Sequence, residues 1–202
     1  MDAPWILTPP ERITLLRFAR VAIEDGLYAD GSLERIRREA KLTGGLLEIR
    51  GAFVTLMGPD PERCAAGPAL RGCIGTLLPH DPLFECVIHN ARQAAFHDPR
   101  FPRLEVSELP TLSISISALS PLSPVEGPEA IVPGRHGVLL EKGPWKSVFL
   151  PQVAEEQGWD TTSLLDHLAL KAGLKGDGWN DARLFVFEAE VFAEDTADPS
   201  VM

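Results

Sequence analysis

From Leu112 to Ala118 the chain alternates without interruption, apolar at Leu112, Ile114, Ile116 and Ala118 and hydroxylated at Ser113, Ser115 and Ser117. A period of two is what a strand with one face in a core requires. Ala52, Val54 and Leu56 alternate in the same way with Phe53 and Thr55. Residues 70 to 76 read as a further strand, in which Leu70, Ile74 and Thr76 share one face and Arg71 and Cys73 the other. Gly58, Pro59, Pro61, Gly67 and Pro68 mark a loop between these two strands, which are expected to pair.

Helical spacing rules elsewhere. Ile13, Leu16, Ala19 (or Arg20) and Ile23 follow a capping box at Thr8-Pro9-Pro10-Glu11, with Gly26 as the expected stop. Ser32 is expected to cap a shorter, charged helix running to about Ala40 and ended by Gly44-Gly45. Asp81, as N-cap before Pro82, opens a helix carrying Leu83, Val87, Asn90, Ala91, Ala94 and Ala95, and Asp98-Pro99 stops it. Beyond the proline-rich stretch 121–133, a hairpin is expected to turn at Lys142-Gly143-Pro144. A helix capped by Asp160 carries Leu164, Leu165, Leu168 and Ala172 up to Gly173. Phe185, Phe187, Ala189 and Val191 form a last strand alternating with Glu188 and Glu190.

The order strand, strand, helix, strand therefore occurs twice without a residue-level repeat. It supports two related-looking α+β units. The 202 residues, 45% of them hydrophobic, suffice for a sizeable core. A formal charge of −10 argues against an extended phosphate-binding surface, so no nucleic-acid partner is expected. Three cysteines (Cys64, Cys73, Cys86) without a CxxC pair fit neither a disulfide framework nor a zinc ribbon. No apolar run reaches the roughly 20 residues of a membrane span, so a soluble, cytoplasmic protein is expected.

The candidate chemistry centres on Cys73 and Arg71. A fixed positive charge near a thiol favours the nucleophilic thiolate, and Gly72 and Gly75 suggest a bulge or a place where a ligand or second backbone comes close. Asp98 and Arg100, in a proline-stiffened loop, are candidates for orienting a polar substrate, with Gln152 as a further ligand contact. Each has a bland counterpart: a buried structural thiol, a helix-stop loop with an internal ion pair, a loop hydrogen bond. Lys171 reads as a cation complementing a helix C-terminus. Cys86 and His89, one helical turn apart, supply only two metal ligands, so no metal site is assigned and no cofactor is expected. The serine row reads as a small polar sheet face. His80, His89, His97 and His136 are bases only if the fold brings one to the thiol.

Several stretches together resemble the AMMECR-one domain family, whose prokaryotic members are called AmmeMemoRadiSam system protein A. They are Gly51-Ala52-Phe53-Val54-Thr55-Leu56, Leu70-Arg71-Gly72-Cys73-Ile74-Gly75-Thr76, Asp98-Pro99-Arg100-Phe101-Pro102, Glu108-Leu109-Pro110, Leu150-Pro151-Gln152-Val153, and Lys171-Ala172-Gly173-Leu174 with Trp179 behind it. The resemblance makes residues 8–194 one such domain, with a connector near 121–133 between its lobes and a flexible tail over 195–202. It implies an α+β fold, an antiparallel sheet with flanking helices in two closely packed lobes and a cysteine-containing cleft between them, without an established reaction. The family name implies association with radical SAM and Memo-type proteins. Ala169 stands where many prokaryotic relatives carry a second cysteine. Two functions are expected to compete. One is an enzyme using Cys73, with Arg71, on a small polar or anionic substrate. The other is a noncatalytic binding or scaffold module for a metabolite or partner peptide.

Overall fold

The alternating runs become strands because each has one apolar face to bury. Residues 5–59 and 68–194 are described in this computed structural model. Residues 60–67 of the expected loop, including Cys64, and the expected tail 195–202 lie outside the described residues. The chain divides into two units, one comprising Met1–Ala118 with Glu190–Met202, the other Leu119–Ala189.

In the first unit, β1 (Ala52–Pro59), β2 (Pro68–Thr76), β3 (Ser113–Leu119) and β8 (Ala189–Ala193) form a sheet in the order β2-β1-β3-β8. β1 pairs antiparallel with both β2 and β3, which sets Val54 opposite Ile74 and Ile116 on one face, and Thr55 opposite Cys73 and Ser115 on the other. The first face carries the core: Val54, Leu56, Ile114 and Ile116 pack in one cluster with Leu15, Phe18 and Ala22 of α1 (Pro9–Tyr28) and Val87, Ala91 and Ala94 of α3 (Leu83–Phe96). Asn90 of α3, fully buried, donates to the Ala52 carbonyl at 3.0 Å and pairs with the Thr76 hydroxyl, tying the helix to β1 and β2.

Helix starts and stops follow local chemistry, with three corrections. At α1, Glu11 accepts from the Thr8 amide and hydroxyl at 2.8 and 2.7 Å, as the capping box predicts. The helix does not stop at Gly26. A Cβ there would lie 2.4 Å from the Phe96 ring, so Gly26 makes room for α3, and the stop falls at Ala29, in the left-handed region at φ 53°. Ser32 is the first residue of α2 (Ser32–Glu39) and not its cap; its amide donates to Asp30, and the helix ends before the Gly44-Gly45 turn. Asp81 makes no cap for α3, because the Leu83 amide is taken by the Glu48 carbonyl at 2.8 Å.

The second unit repeats the strand order. β4 (Ser123–Val125), β5 (Gly137–Lys142), β6 (Trp145–Phe149) and β7 (Arg183–Phe187) form the sheet β4-β7-β5-β6, packed by α4 (Pro151–Gln157) and α5 (Thr161–Lys171). Asp160 caps α5 through the Ser163 amide at 2.8 Å, and the hairpin turns at Gly143 with φ 59°. The stretch 121–133 contains β4 and a 3-10 turn within this unit, so the chain crosses between units at 118/119 and 189/190 instead. The expected last strand is two strands, β7 and β8. They separate at Glu188, whose amide donates to the Ser120 hydroxyl at 2.9 Å and whose carboxylate takes Arg135.

Gly72 fixes how closely α3 lies on β2. A Cβ there would sit 2.3 Å from the Ala94 carbonyl oxygen, a backbone atom that cannot swing aside. Gly72→Ala is expected to cost about 2–3 kcal/mol of unfolding free energy. Gly58→Ala, whose methyl would meet the Arg71 Cβ at 3.8 Å and Cγ at 3.9 Å, both ordinary contacts, is expected to change stability by less than about 0.5 kcal/mol. Urea unfolding of the two variants checks the difference; equal losses would show that the approach at Gly72 is not the constraint.

Candidate functional site at the β2 edge

β2 is an outer strand, and outer strands carry backbone groups with no neighbouring strand to bond. At Cys73 those groups are met by side chains. The Cys73 amide donates to Asp98 Oδ2 at 2.9 Å, and Arg100 Nη2 donates to the Cys73 carbonyl at 2.9 Å. Asp98 and Arg100 also bind each other, through Nε at 3.0 Å and Nη2 at 2.7 Å, and the Arg100 amide adds a further bond to Asp98 at 3.1 Å. The loop after α3 thus closes over the strand edge with a carboxylate and a guanidinium in place of a peptide group.

These contacts set the electrostatics. The Arg100 guanidinium, helped by the Cys73 and Arg100 amides and opposed by burial, holds the Asp98 carboxyl far below the usual carboxylate range. Asp98 is saturated with donors and is not a base. Arg100 is pushed up in turn, first by its hydrogen bond to Asp98. The Asp98 side chain is 1% exposed and that of Arg100 53%, so the anion is sealed and the cation is open. Among the described residues Arg100 Nη1 makes no hydrogen bond. On the sheet face beside them, the Thr55 hydroxyl lies 3.3 Å from the half-buried Cys73 sulfur.

Arg71 is placed differently from the alternation argument. Gly72 stands opposite Leu56 and Leu70 opposite Met57, so Arg71 is the extra residue of a β-bulge and the simple face rule ends there. Its guanidinium binds Glu108 through two bonds, at 2.6 and 3.1 Å. The bond from Arg71 leads the causes that hold Glu108 below its ordinary value. The charge of Arg71 is matched, and it ties the 3-10 turn Val106–Thr111 to β2. The two glycines beside it have packing reasons: Gly72 admits the α3 backbone, and Gly75 lies under the Phe53 ring, where a Cβ would be 2.0 Å from Cδ1.

The other candidates have surroundings of their own. Gln152 is exposed on α4 of the second unit. Lys171 donates to the Val148 carbonyl at 2.9 Å and sits over the Phe149 ring. Cys86 is buried against Asn90, its thiol pushed up by burial, while His89 is exposed, so the pair does not converge. Among the described residues no group of three or more His, Cys, Asp or Glu side chains could hold a metal ion. Ala169 is fully buried in the second core. Thr55 and Glu108 are the residues that pattern reading passed over; Thr55 meets Cys73 through a register that the sequence does not print.

Two four-stranded antiparallel sheets with flanking helices make this an α+β protein. The AMMECR1 family model matches residues 16–192. Protein MK0488 of Methanopyrus kandleri is 40% identical over 205 residues, covering 96% of this chain and 94% of its own. A protein of Thermococcus gammatolerans is 41% identical over 188 residues, covering 90% and 89%. The crystal structure of the uncharacterized protein PH0010 from Pyrococcus horikoshii matches with a TM-score of 0.70 at 35% identity over 94% of both chains. The chain belongs to the AMMECR1 family. No helix among the described residues is long and apolar enough to cross a membrane.

Asp98 makes the site acid-sensitive in a defined direction. Its folded value is depressed. Its stabilisation is therefore complete above the unfolded aspartate value of about 3.9 and is lost as pH falls from there toward the folded value. Asp98→Asn is expected to cost about 2 kcal/mol at pH 7, a buried pair discounted for its exposed cation. It is also expected to flatten the fall of stability below about pH 4. Denaturant midpoints measured from pH 7 to pH 2 on both proteins check this; parallel curves would remove Asp98 as the acid-sensitive group.

Proposed function

We propose that this AMMECR1 protein is a cysteine-dependent enzyme acting on small anionic electrophiles. Cys73 is the nucleophile, Arg100 receives the anionic group, and Asp98 positions both. The observation that supports the reading is the open guanidinium of Arg100 held on the Cys73 peptide by a sealed carboxylate. Arg100 thus takes the part that sequence reading gave to Arg71, whose charge Glu108 neutralises. The Cys73 sulfur forms the new bond, and the leaving group departs with the bonding pair. Among the described residues no histidine bonds the thiol and Asp98 is saturated, so suitable leaving groups are those stable without protonation. Gln152 remains a proposed substrate contact, radical SAM and Memo-type proteins remain proposed partners on the strength of the family name, and a reducing cytoplasm suits an unpaired thiol.

The missing base favours one second reading, a noncatalytic module in which the same edge binds an anionic metabolite or a partner peptide. Alkylation separates the two. Iodoacetate is expected to label Cys73 faster than iodoacetamide, relative to the same ratio for glutathione, by roughly fivefold, about 1 kcal/mol for a half-exposed cation. Arg100→Gln is expected to abolish that preference. Mass spectrometry of the modified peptide reads both rates. A Cys73 that stays unlabelled in folded protein, or that shows no preference for the anion, leaves the binding module as the better account.

A further inference from the structure

The repeated strand order supplies an internal control for what the fold demands at each position. Across β2, β1 and β3, Cys73, Thr55 and Ser115 stand at one level; across β6, β5 and β7 the corresponding level holds Val148, Leu139 and Phe185. The correspondence is fixed by the neighbouring level, where Gly72, Leu56 and Ile114 match Ser147, Leu140 and Leu184, with Leu56, Ile114, Leu140 and Leu184 all buried. It also holds for the helices. Gly72 lies against the Ala94 carbonyl of α3, and Ser147 donates to the Leu168 carbonyl of α5 at 2.6 Å. The outer-edge carbonyls match as well, that of Cys73 taking Arg100 and that of Val148 taking Lys171, each at 2.9 Å. At the place of Thr55 the second unit uses Leu139, which is buried. Strand geometry alone therefore accepts a branched apolar residue there, and the Thr55 hydroxyl is not a requirement of the fold. Its one hydrogen bond among the described residues runs to the Cys73 sulfur at 3.3 Å.

We infer that Thr55 is a positioning residue for Cys73: its hydroxyl proton is directed at the sulfur, stabilises the thiolate and fixes the side chain on the sheet face beside Arg100. The inference rests on the reading of Cys73 as a nucleophile and adds the group that prepares it. The hydroxyl meets the Cys73 sulfur across the strand pair, whereas the guanidinium bonds the Cys73 carbonyl around the outer edge, so their effects are separable. Thr55→Val keeps the branch at Cβ and puts a methyl group in place of the hydroxyl, so the proton donor is lost.

The test is the pH profile of iodoacetamide alkylation at Cys73 in the full chain, for wild type, Thr55→Val and Thr55→Ser. Thr55→Val is expected to raise the midpoint of the profile by about one pH unit, the size of one hydrogen bond to a charged group. Thr55→Ser is expected to restore it to within about 0.3 unit. The urea midpoint of Thr55→Val is expected to equal or exceed that of wild type, as Leu139 in the matching place implies, so the shift is not a loss of structure. Superimposable profiles for wild type and Thr55→Val, with the preference for iodoacetate intact, overturn the role of Thr55 and leave the nucleophile standing. A wild-type Cys73 that takes no label at any pH removes the nucleophile, and the role of Thr55 with it.

Discussion

A strand at the rim of a sheet has polar backbone groups that its neighbour cannot satisfy, and much of the first unit is arranged around how β2 meets that requirement. Asp98 and Arg100 supply an acceptor and a donor at the spacing of a peptide, and the residue they serve is Cys73. For the loop to reach that rim, α3 has to end close against β2, which is possible because Gly72 has no side chain. Beyond Gly72 the register of β2 absorbs one extra residue at Arg71, whose guanidinium fastens the turn before β3. Loop, helix end, bulge and turn are separate in sequence and serve a single edge.

The second unit meets the same requirement more simply. Among the described residues the Val148 carbonyl on its rim strand takes Lys171 with no carboxylate bonded to that ammonium, and the row that runs inward from the rim is apolar. A lone ammonium is enough to blunt an edge. The saturated Asp98, the planar guanidinium and the Thr55 hydroxyl exceed that need, which is why chemistry is sought in the first unit. Guanidinium and ammonium also differ in kind: the fork of Arg100 bonds a carboxylate and a carbonyl together and keeps one nitrogen open, a division of labour that a point charge cannot reproduce.

Alternation made β1 and β3 legible, because Val54, Leu56, Ile114 and Ile116 have one side to bury in the core. Caps were legible where side chains bond locally, as at Thr8 and Asp160, and were misread where a distant group intervened: Phe96 for Gly26, the Glu48 carbonyl for Asp81. The division between β7 and β8 could not be read, since Phe185 to Val191 keeps one period while passing from one sheet to the other. α4 went unread although Pro151 and Gly158 bracket it, because seven residues are too few to display a helical stripe. At the site, Cys73, Asp98 and Arg100 stood out by residue type and by the stiffness of their loop. Their meeting depends on how the loop after α3 reaches the rim of β2, which no spacing in the sequence states.

The order of the chain has a consequence for biosynthesis. β8, the outer partner of β3, is made only after the whole second unit. At ~5–20 residues per second, roughly 70 residues occupy the ribosome for on the order of 4–14 s. Through that interval β3 has a bare rim, and Arg20 of α1 waits for Glu194, the carboxylate that receives it and accepts the Ile114 amide. The nascent first unit thus holds an unclosed β-edge and an unmatched cation for seconds, a window in which a chaperone or a second nascent chain has something to grasp and after which both are gone.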